Sequence, residues 1–291
     1  YVMKKCADAI GAKTLCFNNR VCGLEKVLGV NASPNTIDEL LSTEVILVTG
    51  FDGAQVLRVK LKEAAKNGAK VILINPEGYE QEHFQFSYKT IYTANDLSFL
   101  KGIAKAVAAQ KGSDVEGYEA FVKSVENAEV TDEIKEIADL YANAKKAMIV
   151  FQQNLVTVEA ATLLADLALV SGHIGKPRDG ILMLRPKNNS QGINDLGITA
   201  GAEAMDGVKA LIDFGEDVDP KYLENLEFLM VCDTHMTATA EKADVVIPGT
   251  GFASADGTYT NTERRLQVVE EAIDEDVVFN NWEVAAEFAH V

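Results

Sequence analysis

The stretch Val45-Ile46-Leu47-Val48-Thr49-Gly50-Phe51-Asp52-Gly53 decides the fold. Four consecutive branched apolar residues indicate a strand that is buried on both faces, and the glycines that follow indicate a tight turn. The apolar pattern of residues 56–66 then predicts a helix that ends at Asn67-Gly68, and Val71-Ile72-Leu73-Ile74 predicts the next buried strand. A strand, a helix and a second strand in this order predict a βαβ unit and a parallel sheet.

The same alternation of strands and helices continues along the chain. Ser33-Pro34 predicts the start of a short helix that runs through Leu41, and Thr131 predicts the N-cap of another helix. Further helices are expected at residues 96–110, 118–127, 132–144 and 158–170, and further strands at residues 147–151, 228–232 and 245–248. The predicted fold class is α/β, with two Rossmann-like domains whose largely parallel sheets are flanked by helices, the second domain being incomplete.

A change in amino-acid composition near Lys187 predicts the domain boundary. Residues 175–180 and 185–192 are rich in glycine, proline, asparagine and charge, which is typical of turns. We therefore expect a first α/β domain over residues 1–187 and a second, partial α/β domain over residues 188–291. Residues 257–267 are polar and hairpin-like. Because the sequence opens at Tyr1 inside an expected helix, we also expect an excised piece of a longer polypeptide.

The composition argues against several classes of function. The 291 residues include 27 lysines and arginines against 44 aspartates and glutamates, and the net charge of −17 disfavours nucleic acid and anionic lipid as partners. No apolar run approaches the roughly 20 residues of a membrane helix, so we expect a cytoplasmic protein without direct membrane insertion. Four cysteines without a C-x-x-C pair and four scattered histidines argue against a self-contained zinc or iron-sulfur site.

The loops after the buried strands hold the first candidate binding residues, because ligands of parallel sheets bind at the carboxyl ends of the strands. Gly50 would let the backbone approach a phosphate, and the carboxylate of Asp52 would bind a ribose. The amides of residues 152–154 would hydrogen-bond a planar heterocycle. A tight turn and ordinary polar loops explain the same residues equally well, and the lack of a G-x-G-x-x-G motif argues against a nicotinamide site. The candidates are Gly50, Phe51, Asp52, Asn75, Gln152, Gln153 and Asn154.

Two further segments carry candidate residues. Arg185 and Lys187 are cations beside the amides of residues 188–191, which suits an anionic ligand better than it suits a plain interdomain linker, the alternative. Cys16 lies near Arg20, a cation that would favour its thiolate, although Cys16 taken alone is better interpreted as an inert buried thiol.

A series of short motifs runs through nearly the whole chain. The series includes Ser33-Pro34-Asn35-Thr36-Ile37, Asn67-Gly68-Ala69-Lys70, Ser171-Gly172-His173, Gly215-Glu216-Asp217, Asp233-Thr234-His235-Met236-Thr237, Ala243-Asp244-Val245-Val246-Ile247-Pro248 and Asn261-Thr262-Glu263-Arg264-Arg265. In this order the motifs resemble the molybdopterin oxidoreductase family, especially formate dehydrogenase alpha subunits and the large iron-sulfur subunit of NADH-quinone oxidoreductases. A single motif would be weak evidence, and the ordered series is strong evidence for the fold.

The resemblance implies a cofactor and a reaction. It implies molybdenum or tungsten held by two pterin guanine dinucleotides, with Cys16 as metal ligand and catalytic thiolate and Arg185 as the catalytic cation that orients formate. Lys187, Asp217, Asp233 and Thr237 join the implied cofactor-binding residues. Formate would be oxidised to carbon dioxide, and its electrons would pass to iron-sulfur clusters in sequence outside this chain. The implied partners are other subunits of an NAD-linked or ferredoxin-linked redox complex.

Several positions depart from the family pattern where ligands are expected. Phe17 stands where the formate enzymes carry histidine, and Glu77 stands where the family places arginine after the second strand. These departures favour an alternative, a non-catalytic scaffold subunit of an NADH dehydrogenase-type electron-transfer complex that has lost the metal-pterin cofactor. A simple nucleotide-binding protein is a third possibility. In each case we expect this chain by itself to be inactive and to lack the cofactor.

Overall fold

A computed structural model describes residues 1–17, 23–80, 84–94, 96–112, 114–274 and 279–288. These residues divide into two compact units. The larger unit comprises the described parts of residues 21–187 together with residues 262–264, and the smaller unit comprises those of residues 1–20, 188–261 and 265–291. The chain thus passes from the larger unit to the smaller one after Lys187, and the assignment of domains over residues 1–187 and 188–291 stays a prediction.

The strands and helices of the described residues are numbered in chain order. The strands are β1 (Val45–Thr49), β2 (Lys70–Pro76), β3 (Lys89–Thr93), β4 (Ala147–Gln152), β5 (Gly180–Leu184), β6 (Ala210–Phe214), β7 (Phe228–Asp233), β8 (Val245–Pro248), β9 (Gly257–Thr260) and β10 (Leu266–Val269). The helices are α1 (Val2–Ile10), α2 (Glu25–Leu28), α3 (Gln55–Lys66), α4 (Asp96–Gln110), α5 (Tyr118–Val125), α6 (Asp132–Asn143), α7 (Val158–Ser171), α8 (Ser190–Asp195) and α9 (Asn281–Glu287). None of these helices has both the length and the apolar composition needed to cross a bilayer.

The larger unit is built on a five-stranded parallel sheet in the order β3-β2-β1-β4-β5. All five residues of the central strand β1 are buried, because both faces of the sheet are covered. Leu47 packs on one face with residues of α4, α6 and α7, and Ile46 and Val48 pack on the other face with residues of α3. The strand order changes direction between β1 and β4, which makes their carboxyl ends the expected ligand crevice of such a sheet.

Local sequence signals explain several helix boundaries in the larger unit. The hydroxyl oxygen of Thr131 accepts a hydrogen bond from the Ile134 N–H at 3.2 Å, so the predicted N-cap of α6 is confirmed. Gly172 ends α7 in the left-handed conformation, with φ at 77°. The predicted helix from Ser33 through Leu41 is wrong, since only a short 3₁₀ turn is present over Asp38–Ser42. The Ser33 hydroxyl instead donates to the Met183 carbonyl and accepts from the Met183 N–H in β5.

The smaller unit contains a three-stranded parallel sheet in the order β6-β7-β8 and an antiparallel hairpin of β9 and β10. Leu211 of β6 and Val231 of β7 belong to an apolar cluster on one face of the sheet. On the other face, Met230 packs against Val284 of α9. The expected α/β fold with largely parallel sheets flanked by helices is confirmed, and so is the hairpin expected over residues 257–267.

Candidate functional site

The turn after β1 is closed by protein atoms. Gly50 has φ at 55°, a conformation that favours glycine. A Cβ atom at this position would approach Val156 Cγ1 to 2.8 Å and the Leu155 side chain to 3.2 Å, so the segment after β4 fills the space beside the glycine. The residue type is therefore explained by close packing of two loops at the β1 and β4 ends.

Phe51 and Asn75 form a reciprocal pair beside that turn. The Phe51 N–H donates to Asn75 Oδ1 at 2.9 Å, and Asn75 Nδ2 donates to the Phe51 carbonyl at 2.7 Å and to the Tyr79 carbonyl at 3.0 Å. Asn75 is completely buried, and the Phe51 side chain is 1% exposed and packs edge-on against Phe84, with ring centroids 5.6 Å apart. Both candidate binding residues are thus directed into the protein.

Gln152 links the end of β4 to the turn after β1. Gln152 Nε2 donates to Asp52 Oδ2 at 2.7 Å. Gln152 Oε1 is buried and has no hydrogen-bond partner among the residues that the structure describes. Asp52 and Asn154 are exposed. The crevice therefore presents one free carboxylate edge and an exposed amide, together with the exposed carboxylate of Glu77 after β2.

Arg185 lies directly after β5 and is 9% exposed. Its Nη1 donates to Gln153 Oε1 at 3.1 Å, and its Nη2 donates to the Asn31 carbonyl at 2.5 Å. The Arg185 N–H donates to the Thr262 hydroxyl, which in turn donates to the Met183 carbonyl at 2.7 Å. The guanidinium and the Gln153 amide are thus held by hydrogen bonds within the larger unit, whereas Lys187 is exposed.

Cys16 belongs to the smaller unit and Arg185 to the larger one. The Cys16 N–H donates to the Ala200 carbonyl at 2.9 Å, and its neighbour Phe17 packs against Tyr222 with ring centroids 5.8 Å apart. The thiol is half-buried. Arg20, the cation invoked for its thiolate, lies outside the described residues. Within those residues, no group of three or more histidine, cysteine or acidic side chains is arranged to hold a metal ion.

The remaining candidates, Asp217, Asp233 and Thr237, lie at the end of β7 or in the loops after β6 and β7, and each accepts hydrogen bonds from protein groups. Asp217 Oδ1 accepts from both the N–H and the hydroxyl of Thr239, at 3.2 and 2.8 Å. Asp233 Oδ1 accepts from the Thr234 N–H at 2.6 Å, and the Thr237 hydroxyl oxygen accepts from the Ala240 N–H at 3.1 Å. These side chains organise the loops after β6 and β7.

Asp213 is a buried charged group that the sequence analysis missed. It lies in β6 and is 7% exposed, and its Oδ2 atom has no hydrogen-bond partner among the described residues. Burial first, and then the nearby charges of Glu216 and Asp233, raise the pKa of this carboxyl to about 7. The sequence feature that could have identified Asp213 is the alternation along β6, which places it on the same face as the apolar Leu211.

A second buried polar group, also missed, joins four elements of the larger unit. His173 Nδ1 lies 2.6 Å from Asp179 Oδ1, and His173 Nε2 lies 2.9 Å from the Tyr141 carbonyl. Asp179 Oδ1 also accepts from the Ala147 N–H at 3.1 Å. All of these contacts are buried, and they tie α6, β4 and the start of β5 to the end of α7. This arrangement satisfies buried polar groups of the scaffold, away from the strand-end crevice.

Comparison with known proteins gives one family. A family model described as molybdopterin oxidoreductase matches residues 1–288. The F420-dependent formate dehydrogenase subunit alpha of Methanocaldococcus jannaschii is 26% identical, with 87% of this chain and 48% of that protein covered. Formate dehydrogenase H of Escherichia coli is 26% identical, with 99% of this chain and 52% of that protein covered. The chain therefore spans about half the length of these curated relatives.

A solved structure shares the fold. A chain of the formyltransferase/hydrolase complex FhcABCD from Methylorubrum extorquens, determined in complex with methylofuran, superposes with a TM-score of 0.70 at 15% sequence identity. The match covers 99% of this chain and 86% of that chain. The expected resemblance is confirmed by the family match and the formate dehydrogenase relatives.

The family implies a molybdenum or tungsten pterin cofactor, and the strand ends of the larger unit do not fit a phosphate-bearing dinucleotide. The space beside Gly50 is filled by Val156, and the polar atoms of Asn75 are occupied by backbone partners. The exposed side chains of Asp52 and Glu77 at the β1 and β2 ends are negative and would repel phosphate. Val156 and the Asn75–Phe51 pair close these strand ends, and the exposed carboxylates leave a surface whose charge does not suit phosphate.

Proposed function

Because the chain belongs to the molybdopterin oxidoreductase family, we propose that it is a non-catalytic scaffold in an electron-transfer complex of the NADH dehydrogenase type. The reciprocal hydrogen bonds between Asn75 and Phe51 are the observation that carries this proposal. A binding loop keeps donors and acceptors available for its ligand. Here the N–H and carbonyl of Phe51 are already hydrogen-bonded to the Asn75 amide.

Opening the turn after β1 would cost energy, which favours a permanently closed crevice. Phe51 has its ring in the apolar layer formed by Val48, Leu57 and Phe84, and withdrawing an aromatic ring from such a layer costs about 3–5 kcal/mol. The two hydrogen bonds between Phe51 and the buried Asn75 amide would break in the same movement. A cofactor would have to supply this energy before it gained any contact of its own.

The proposed scaffold keeps a rigid α/β framework and uses its surface for assembly with other proteins. The relatives named as alpha subunits are parts of larger enzymes, which supports a place in a multi-subunit complex. We propose NAD-linked or ferredoxin-linked redox subunits as partners, and a cytoplasmic location. Iron-sulfur clusters of such a complex would lie in sequence outside this chain.

A second candidate function is formate oxidation, and the names of the relatives favour it. In this alternative, Cys16 supplies the metal ligand and Arg185 orients the formate carboxylate. The Arg185 guanidinium has the fork of donors that suits a carboxylate. It would first have to exchange its hydrogen bonds to Gln153 and the Asn31 carbonyl for those of formate. The scaffold requires no such exchange.

Replacement of Cys16 by serine distinguishes the two functions. The variant would be introduced into the complex purified through a tag on this chain, with Cys6→Ser as the matched control on another half-buried thiol. Formate-dependent dye reduction and turnover of the complex would be measured for both. The scaffold predicts that both variants behave like the unmodified complex. Loss of formate-dependent activity in Cys16→Ser alone would contradict the scaffold and establish the catalytic alternative.

A further inference from the structure

Asp213 places a carboxyl group in an apolar layer of the smaller unit. Its strand pairs with β7 so that Leu211 is opposite Leu229 and Asp213 is opposite Val231. Leu211, Leu229 and Val231 belong to one apolar cluster, and alternation along β6 puts Asp213 on the same face as Leu211. A charge at this position loses most of its hydration, and the unpartnered Oδ2 atom receives no compensating hydrogen bond from the described residues.

The titratable groups that face Asp213 make its charged form less favourable still. Glu216 lies in the loop after β6, and Asp233 is the last residue of β7. The thiol of Cys232, just before Asp233, belongs to the apolar cluster on the opposite face of the sheet. Both carboxylates repel a negative charge on Asp213, and the thiol offers no positive charge. The backbone N–H groups of Phe214 and Glu216 offset only part of this cost.

A set of hydrogen bonds joins the same two loops. Asp217 Oδ1 accepts from the N–H and hydroxyl of Thr239, and the Thr239 hydroxyl oxygen accepts from the Val218 N–H at 2.7 Å. Thr239 is completely buried. We call these contacts of Asp217, Val218 and Thr239 the loop clasp. Glu216 immediately precedes the clasp in one loop, and Asp233 begins the chain segment that leads to it in the other.

We propose that Asp213 is a proton-operated switch for the loop clasp. With a proton on its carboxyl, Asp213 is neutral, and the two loops close against the sheet. When the proton leaves to solvent, three neighbouring carboxylates are negative, and their repulsion separates the loops that the clasp joins. Hydrogen bonding and repulsion thus act on the same pair of loops in opposite directions.

The direction of the pH response follows from burial and the neighbouring charges. These raise the pKa of Asp213 from an ordinary value of 3.8 to about 7. The folded loops therefore bind the proton more tightly than the opened loops do. The advantage of the closed form is complete in acid and is lost as the pH rises through about 7, the reverse of the behaviour of an ion-paired carboxylate.

Hydrogen exchange measured by mass spectrometry on the intact chain tests the switch. Peptides covering residues 210–218 and 233–240 report the two loops, and peptides covering β1 and β4 serve as an internal reference. After correction for intrinsic exchange, we expect protection of the two loops to fall about tenfold from pH 6 to pH 8 in the unmodified chain. In Asp213→Asn, which is neutral at both values, protection should be the same at pH 6 and pH 8.

Two further variants test whether the pH response depends on Asp213 and its neighbouring charges. Asp219→Asn removes an exposed carboxylate of the same loop that pairs with Lys221, and it should leave the pH response unchanged. Glu216→Gln keeps Asp213 but removes one repelling charge, so the midpoint of the response should move to lower pH; this arm decides the matter if Asp213→Asn does not fold. Protection that is independent of pH in the unmodified chain, or a response that persists in Asp213→Asn, would overturn the proposal.

Discussion

Two buried polar side chains, Asn75 in the sheet of the larger unit and Asp213 in the sheet of the smaller one, differ in their hydrogen bonding. In the larger unit, the amide of Asn75 is completely buried and every hydrogen bond it makes is to backbone. In the smaller unit, the carboxyl of Asp213 is almost as buried, and one of its oxygens has no partner among the described residues. The Asn75 amide is thus bonded to backbone, whereas Asp213 keeps an oxygen that is unpartnered within the part of the chain that the structure describes, a property that the buried Gln152 Oε1 at the β4 end shares.

The difference follows from what each side chain offers to the backbone. An amide has two donors and an acceptor, so Asn75 matches both the N–H and the carbonyl of Phe51. A carboxylate only accepts, and it carries a charge that burial disfavours. Neutral amides can therefore close a crevice permanently, whereas a buried carboxyl remains sensitive to its proton.

The largest effect is expected from Phe51→Ala, which removes a buried ring beside the closed turn after β1. Removing a ring that is 1% exposed should lower the free energy of unfolding by about 3–5 kcal/mol, because a cavity is left in the apolar layer. Urea denaturation monitored on the larger unit measures this change. Val56→Ala is the matched control, since Val56 on α3 is 67% exposed. Equal effects of the two substitutions would show that the crevice is not closed by Phe51.

A smaller effect is expected from Asn75→Ala. The substitution leaves the N–H and carbonyl of Phe51 and the carbonyl of Tyr79 without the amide, which should lower the free energy of unfolding by about 2–3 kcal/mol. Asn154→Ala, which removes an exposed amide after β4 in the same sheet, should change the free energy of unfolding by less than about 0.5 kcal/mol. If Asn154→Ala costs as much, the reciprocal pair does not hold the loop.

The smallest effect is expected in the smaller unit, from Thr239→Val. This nearly isosteric change removes the hydroxyl of the loop clasp and should cost about 1–2 kcal/mol. Thr237→Val removes a hydroxyl that accepts a single backbone hydrogen bond, and it should cost about 0.5–1 kcal/mol. Thermal unfolding followed on the smaller unit compares the two. A larger loss in Thr237→Val would contradict the central position given to Thr239.

Much of the larger unit was predictable because its strands are continuous apolar runs. Runs of branched apolar residues predicted β1, β2 and β4. The expected parallel topology then indicated that the candidate residues lie at the ends of these strands. β5 was missed because turn-forming residues flank it on both sides, and β3 because polar residues interrupt it at the sheet edge. Pairing across the sheet, rather than local pattern, makes these segments strands.

The chemistry of the strand ends was harder to predict, because it depends on contacts between distant residues. Asn75 lies 24 residues from Phe51, and Thr239 lies 22 residues from Asp217. The sequence identified Asn75 as polar and well placed, but only the fold shows that its amide is occupied by a backbone partner. Asp213 carried a usable signal, a carboxylate on the apolar face of an alternating strand.

The content of metal and pterin in the purified chain tests the closed crevice most directly. The chain would be expressed in a host that makes the cofactor, and molybdenum and tungsten would be measured by elemental analysis, with pterin detected by fluorescence after oxidation. A crevice closed by Val156 and by the Asn75–Phe51 hydrogen bonds predicts no more than trace metal and no pterin. Stoichiometric molybdenum or tungsten with bound pterin would contradict the account.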